Sequence, residues 1–309
     1  MKQINENELS EFMRELLTEA ALVVSPGQVK LFINDQLPPG INAQTVVESN
    51  GDHTIYIREE TLSDEYSISH EILHICVRKV VPCFIRFIEP SLIGMIGLEL
   101  QGYLEHNWIL AEQKRRGLEI DELRLYADIE TTLRSDQEGL PENINSILTL
   151  NNILHTHPKV YEELKEFFQK NNPKSLEISH RIMSHYPKQD LYTNYEARKA
   201  TVQAIREWNN IFAENGLNSV NLKVFLSVTP VFSIAQLKRM AGVILGLIPN
   251  AIINHEKQVS SHVLFTMNDG QCCVVFSMDE NGLKGLQGYL NKMTLEEFLE
   301  MAKIPCLAR

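Results

Sequence analysis

Ser67-Ile68-Ser69-His70-Glu71-Ile72-Leu73-His74-Ile75-Cys76 decides how the chain reads. Ile68, Ile72, Ile75 and Cys76 recur at helical spacing, so the stretch is a helix with one apolar face. His70 and His74 are one turn apart on that helix and share a side. Two imidazoles so placed suit a single Zn²⁺. The H-E-x-x-H pattern sets Glu71 about 100° round the helix, where it can act on water without binding the metal. The helix is expected from about Ser63 to Val80. Thr61 and Ser63 are its cap candidates, Asp64 and Glu65 are acids in the first turn, and Pro82 ends it.

Upstream, Leu9, Phe12, Met13, Leu16, Leu17 and Ala20 mark another helix, stopped at Ser25-Pro26-Gly27. Three strand-like runs follow, Val29–Ile33, Thr45–Glu48 and His53–Arg58, broken at Pro38-Pro39-Gly40 and at Ser49-Asn50-Gly51-Asp52. Downstream, a long helix from about Leu92 to Arg116 has Gly117 as its C-terminal cap. A catalytic zinc needs a third protein ligand and an open position for water. The metzincin solution would put a histidine where this chain has Val80, so a residue of the next helix is expected. Its candidates are Glu99, Glu105, His106 and Glu112. An apolar stripe through Ile96, Leu100, Tyr103, Leu104, Trp108 and Ala111 has Glu105 and Glu112 along one flank, with Glu99 and His106 nearly opposite. Glu105 is therefore the expected third ligand, and His106 is the substitute.

From 119 to 218 the pattern is helical, with a stripe at Val202, Ile205, Trp208, Ile211 and Phe212 and breaks at Pro141, Pro158, Pro173 and Pro187. Beyond Asn218 the texture turns mixed. Leu222–Val228 reads as a strand, His262–Met278 as a hairpin turning at Asn268-Asp269-Gly270, and Thr294 with Glu297 as a capping box. The fold class read from this is α+β in three parts: a small-sheet, zincin-like domain over 1–118, a helical region over 119–218, and an α/β domain over 219–309.

With 29 Lys+Arg against 40 Asp+Glu in 309 residues, the net charge of −11 disfavours nucleic acid as the main partner. The acidity sits before residue 219; after it the charges nearly balance. No apolar run is long enough for a membrane span, and the polar start has no secretory h-region. The five cysteines include the adjacent pair Cys272-Cys273. An odd count of this kind suits buried thiols in a reducing cytoplasm, which is the expected location. His155-Thr156-His157 is expected to be a solvated turn, and Ser260-Ser261-His262 has no elbow or nearby acid to make a serine triad.

The run His53-Thr54-Ile55-Tyr56-Ile57-Arg58 followed by Ser67–Ile75 with its H-E-x-x-H resembles the ImmA/IrrE-type zinc metallopeptidases. The resemblance covers about residues 1–118. It implies a strand before the active-site helix and a glutamate on the following helix as third zinc ligand, at Glu105. The surroundings of Glu105, and Leu73 where that family has glycine, depart from its pattern. It also implies regulated cleavage of a partner such as a transcriptional repressor. The expected function is that of a cytoplasmic zinc-dependent endopeptidase. His70, His74 and Glu105 hold Zn²⁺, Glu71 is the general base, and His53–Arg58 is an edge strand that aligns an extended protein or peptide substrate. The alternative is a non-catalytic sensor or interaction protein whose metal site is structural or vestigial. The oligomeric state is left open.

Overall fold

Ser10 accepts the backbone N–H of Met13 and starts α1 (Glu11–Val24), which buries Met13, Leu16, Leu17 and Ala20 at the spacing read from the sequence. The structure, a computed structural model, describes residues 1–37, 42–48, 50–81, 85–87, 92–118, 129–186, 193–217, 220–254 and 259–309. It is a mixed α+β protein with small sheets. The chain divides into two compact units, 1–82 with 105–125 and 83–104 with 126–309.

In the first unit, β1 (Lys2–Gln3), β2 (Val29–Ile33), β3 (Ala43–Val47) and β4 (His53–Ile57) form a four-stranded sheet in the order β1-β2-β4-β3. β2 and β4 are parallel, while β1 and β3 run antiparallel to their neighbours. The burial of Ile55 and Ile57 explains the position of β4: both are fully enclosed, as befits an inner strand. This corrects the expectation that His53–Arg58 is an edge. β4 is paired on both sides, and among the described residues β3 is the edge strand on that side.

α2 (Glu65–Cys76) carries the H-E-x-x-H. Its cap is Asp64, not Thr61 or Ser63. The Asp64 carboxylate accepts the N–H groups of Tyr66 and Ser67 and the Ser67 hydroxyl, the last at 2.6 Å. Thr61 is occupied elsewhere, its hydroxyl donating to the carbonyls of Asn42 and Arg58. Asp therefore serves here as cap rather than as a first-turn acid. α2 passes into a 3₁₀ turn at Val77–Lys79; Pro82 lies outside the described residues. α3 (Leu92–Arg115) ends as expected. Gly117 at φ +80° lets Leu118 N–H reach the Gln113 carbonyl at 2.9 Å and its own N–H reach that of Lys114 at 3.0 Å.

In the second unit, β5 (Ile85–Phe87) pairs antiparallel with β6 (Leu226–Val228). Four helices follow in sequence: α4 (Leu140–Thr156), α5 (Pro158–Asn171), α6 (Pro173–Met183) and α7 (Asn194–Glu214). Pro141, Pro158 and Pro173 begin helices rather than merely interrupting them, because proline in the first turn forfeits no intrahelical bond. Pro187 is outside the described residues. Leu222–Val228 is a helical turn at Leu222–Phe225 leading into β6, not one strand. β7 (Val231–Phe232) pairs in parallel with Leu307–Ala308. The expected hairpin is present as β9 (Val259–Thr266) with β10 (Cys272–Phe276), and β8 (Leu245–Asn254) pairs with β9. α8 (Glu280–Leu290) and α9 (Leu295–Met301) follow, the latter started by the Thr294–Glu297 capping box.

Ser219 itself falls outside the described residues, and the residues on either side of it belong to one unit. Arg198 of α7 shows how they are joined. Its guanidinium is buried and donates to the carbonyls of Val228 at 2.6 Å and Thr229 at 3.0 Å, to the Thr266 hydroxyl, and to both oxygens of Asp269. No helix among the described residues is long and apolar enough to cross a membrane. Cys76 and Cys272 are buried free thiols, pushed up to about 11 and about 12 by burial, which makes them poor nucleophiles.

Candidate metal centre

α2 presents His70 and His74, and α3 presents His106 against them. The three ring centroids are 5.0, 5.1 and 5.2 Å apart. One nitrogen from each ring can be chosen so that all three lie within 4.8 Å of one another. Tetrahedral zinc with bonds of about 2.0–2.1 Å needs nitrogens about 3.3 Å apart, so a small inward rotation of the rings would suffice. Three imidazole nitrogens suit a borderline-soft divalent transition-metal ion, and several such metals fit them.

Two of the imidazoles are held from behind. The Nδ1 of His74 lies 2.7 Å from an oxygen of Glu105, which is almost fully buried. The Nδ1 of His70 faces the Gln113 carbonyl oxygen at 3.4 Å. The Gln113 amide cannot turn round, because its nitrogen donates to the Tyr66 carbonyl at 2.9 Å and to the Ser69 hydroxyl at 3.1 Å. In the neutral form of each ring these partners make Nδ1 the protonated nitrogen and leave the Nε2 lone pair for a metal. Burial, then the neighbouring charge of His74, pushes His70 down to about 4, which favours its neutral imidazole. Burial also disfavours the charged form of His74, but the Glu105 hydrogen bond and charge outweigh it and raise that imidazole above its ordinary value.

His106, the substitute in the sequence reading, thus joins the cluster, while Glu105 stands behind His74 and outside the convergent group. The reason lies in α3. Its residues up to Leu104 belong with the second unit and those from Glu105 with the first. One stripe cannot serve both cores. Ile96, Leu100, Tyr103 and Leu104 are buried, but beyond them burial shifts to Glu105, Ile109 and Gln113, while Trp108 is only half-buried and Ala111 is exposed. The extrapolated stripe turned His106 away from α2, whereas Glu105 and His106 both face it.

Glu71 keeps its place beside His70, and its negative charge stabilises the protonated forms of both His70 and His74. Its backbone carbonyl accepts the Thr45 hydroxyl of β3 at 3.1 Å, which ties the edge strand to the motif. Of the other candidates, Glu112 is engaged by Arg115 and Arg116. Glu99 belongs to the other half of α3, in the second unit.

Gln113 was missed by the sequence reading, although it follows Glu105 by eight residues on the same helical face and the spacing would have found it. Arg78 was missed too. It donates to His53 Nε2 at 2.7 Å, and His53 Nδ1 in turn donates to the Gly51 carbonyl at 3.2 Å. The His155–His157 stretch is not a solvated turn. His157 is buried, and His155 Nε2 donates to the Tyr103 carbonyl at 2.9 Å. Both ring nitrogens of His262 are engaged, by the Asn250 N–H and the Met278 carbonyl, which leaves no base for a serine triad. Comparison with known protein families, curated proteins and solved structures gives no match to this chain.

Proposed function

We propose that the chain is a zinc-dependent endopeptidase with a zincin-like first unit, in which His70, His74 and His106 hold the metal and Glu71 is the general base. The observation that carries this reading is the convergence of three imidazoles with Glu71 adjacent and with Glu105 and Gln113 fixing two of the rings. A site meant only to fill a helix interface has no need of anchored tautomers or of a carboxylate beside them.

When bound, zinc supplies Lewis acidity towards a scissile carbonyl and makes water at the site more acidic. The protein's own residues do the rest. The Glu71 carboxylate takes a proton from the attacking water and returns it to the departing amide nitrogen. Glu105, hydrogen-bonded to His74, holds that ring in register and offsets positive charge. The edge of β3, unpaired among the described residues and beside the motif, pairs with an extended segment of a protein substrate through main-chain hydrogen bonds. A flexible loop of a cytoplasmic partner, such as a transcriptional regulator, is a substrate of that kind.

Elemental analysis of the purified chain, together with the set of new protein N-termini it generates in a cell extract, tests this. We expect about one zinc per chain in both the parent and Glu71→Gln, and new N-termini only with the parent. The same cleavages from both proteins, with zinc present in both, would assign them to a contaminant or to another base.

A further inference from the structure

We propose that α7 in the second unit carries one wall of a binding site for a compact, multiply charged anion, a phosphate- or polycarboxylate-bearing small molecule. A cavity of about 200 Å³ opens along α7. Arg198, Lys199, Val202 and Arg206 of its lining come at helical spacing from one face of that helix, and Arg309 contributes from the end of the chain. In a protein of net charge −11 this is a local reversal of sign. A cleft of one sign with low-dielectric walls concentrates the opposite ions.

The charge balance inside the cavity decides the ligand class. Asp269 is the acid in the lining, and both its oxygens are taken by Arg198. That pair is neutral as a unit. Lys199, Arg206 and Arg309 then remain, none in an ion pair among the described residues. Of the acids near it on α7, Glu207 is paired with Arg181, and Glu196, which accepts from Thr193, is not part of the lining. Beyond the Arg198–Asp269 pair, the described lining thus holds three basic side chains and no further acidic one.

Two of them are held in place. Arg206 donates one N–H to the Asp269 backbone carbonyl at 2.7 Å, which fixes the plane of its guanidinium and leaves its other N–H groups for a ligand. Arg309 lies over the Tyr195 ring, 4.4 Å from its centroid. Pre-organised guanidinium groups favour oxyanions that accept two parallel hydrogen bonds. The volume is below the roughly 300–1,000 Å³ of drug-sized pockets, so the ligand is of pyrophosphate or citrate size rather than a nucleotide.

The test is calorimetric titration of the full chain with inorganic pyrophosphate and, separately, with citrate, at an ionic strength held constant with sodium chloride. Both anions bind zinc, so the same titrations are run on His70→Ala. We expect saturable one-site binding that survives His70→Ala. It should weaken about tenfold or more in Lys199→Glu and in Arg206→Gln. Lys199 is exposed, so Lys199→Glu leaves the fold undisturbed and decides the matter should Arg206→Gln fail to fold. Tighter pyrophosphate marks a phosphoryl ligand and tighter citrate a polycarboxylate; either supports the site. Binding lost in His70→Ala but unchanged in both α7 variants would move the anion to the histidine cluster and overturn the proposal. So would the absence of saturable binding by either anion.

Discussion

The two halves of α3 carry the same kind of side chain into opposite circumstances. Glu105, in the half that belongs with the first unit, meets an imidazole at 2.7 Å. Glu99, six residues earlier in the half that belongs with the second unit, has aromatic company. Burial pushes its carboxyl up to about 7, and the neighbouring Tyr103 hydroxyl pulls it only part of the way back. Tyr103 in turn packs edge-on to Tyr186 at 5.4 Å and beside His155 at 5.3 Å. The histidines differ in the same way. His155 gives its Nε2 proton to a backbone carbonyl, which closes that nitrogen to a metal, whereas His70 and His74 are held through Nδ1, which leaves the other nitrogen of each for one. Which nitrogen the protein occupies separates a core histidine from a prospective ligand.

The sharpest way to break this contrast is to remove ligands. His70→Ala, His74→Ala and His106→Ala should each bring bound zinc down to near background, whereas His155→Ala should leave the stoichiometry at about one per chain. Elemental analysis after gel filtration checks all four. Full zinc retention in His106→Ala would return the third position to Glu105. Next in size is Glu71→Gln. Amide for carboxylate keeps the shape and removes the proton acceptor, so turnover of a cleaved partner should fall by at least about 10²-fold with zinc intact. Equal turnover would separate the histidine cluster from peptidase chemistry.

A smaller effect is expected one layer out. Glu105→Gln preserves a contact to His74 Nδ1 but removes the charge that favours it. Such partners typically contribute about 10–100-fold in metal affinity. Competition with a chromophoric chelator should show a weakening in that range, and Gln113→Ala should weaken binding less, because its contact to His70 is neutral and long at 3.4 Å. An unchanged affinity in Glu105→Gln would mean that the His74 ring is held by packing alone.

Much of this was legible in the residues. α1, β2, the hairpin at β9–β10, the end of α3 at Gly117 and the Thr294 capping box follow from spacing and caps that act locally. His70 and His74 share a face by helical geometry alone. What failed needed information from elsewhere in the fold. Asp64 became the cap because the Thr61 hydroxyl was already bound to Asn42 and Arg58. β4 became an inner strand because β2 pairs with it in parallel, across an intervening β3 that no local signal orders. His106 was placed on the wrong side because a helix shared by two units has no single stripe. Glu105 and His106 are about 100° apart in helix rotation, yet both reach the α2 histidines, which one apolar stripe does not anticipate.

The smallest expected effect tests the other half of α3. The ordinary glutamate value is 4.5, and in the native protein Glu99 is raised to about 7. Below about pH 4.5 both native and unfolded chains carry the proton, and the group contributes no difference. Between about 4.5 and 7 the native chain keeps a proton that the unfolded chain has lost, so stability falls as pH rises. Above 7 the penalty is complete and constant. Glu99→Gln removes the titration. The variant should match the parent near pH 4.5 and exceed it by about 1–2 kcal/mol at pH 7.5, a figure reduced for the water that reaches a partly exposed carboxyl. Burial lowers His155 and gives a slope of the opposite sign, but it is common to both proteins and cancels in the difference. Urea unfolding read by Trp208, buried in the second unit, in a Trp108→Phe background would report on this unit alone. Stability curves for parent and variant that stay parallel from pH 4.5 to 7.5 would show that Glu99 is ionised and solvated, and that the two halves of α3 do not differ as argued.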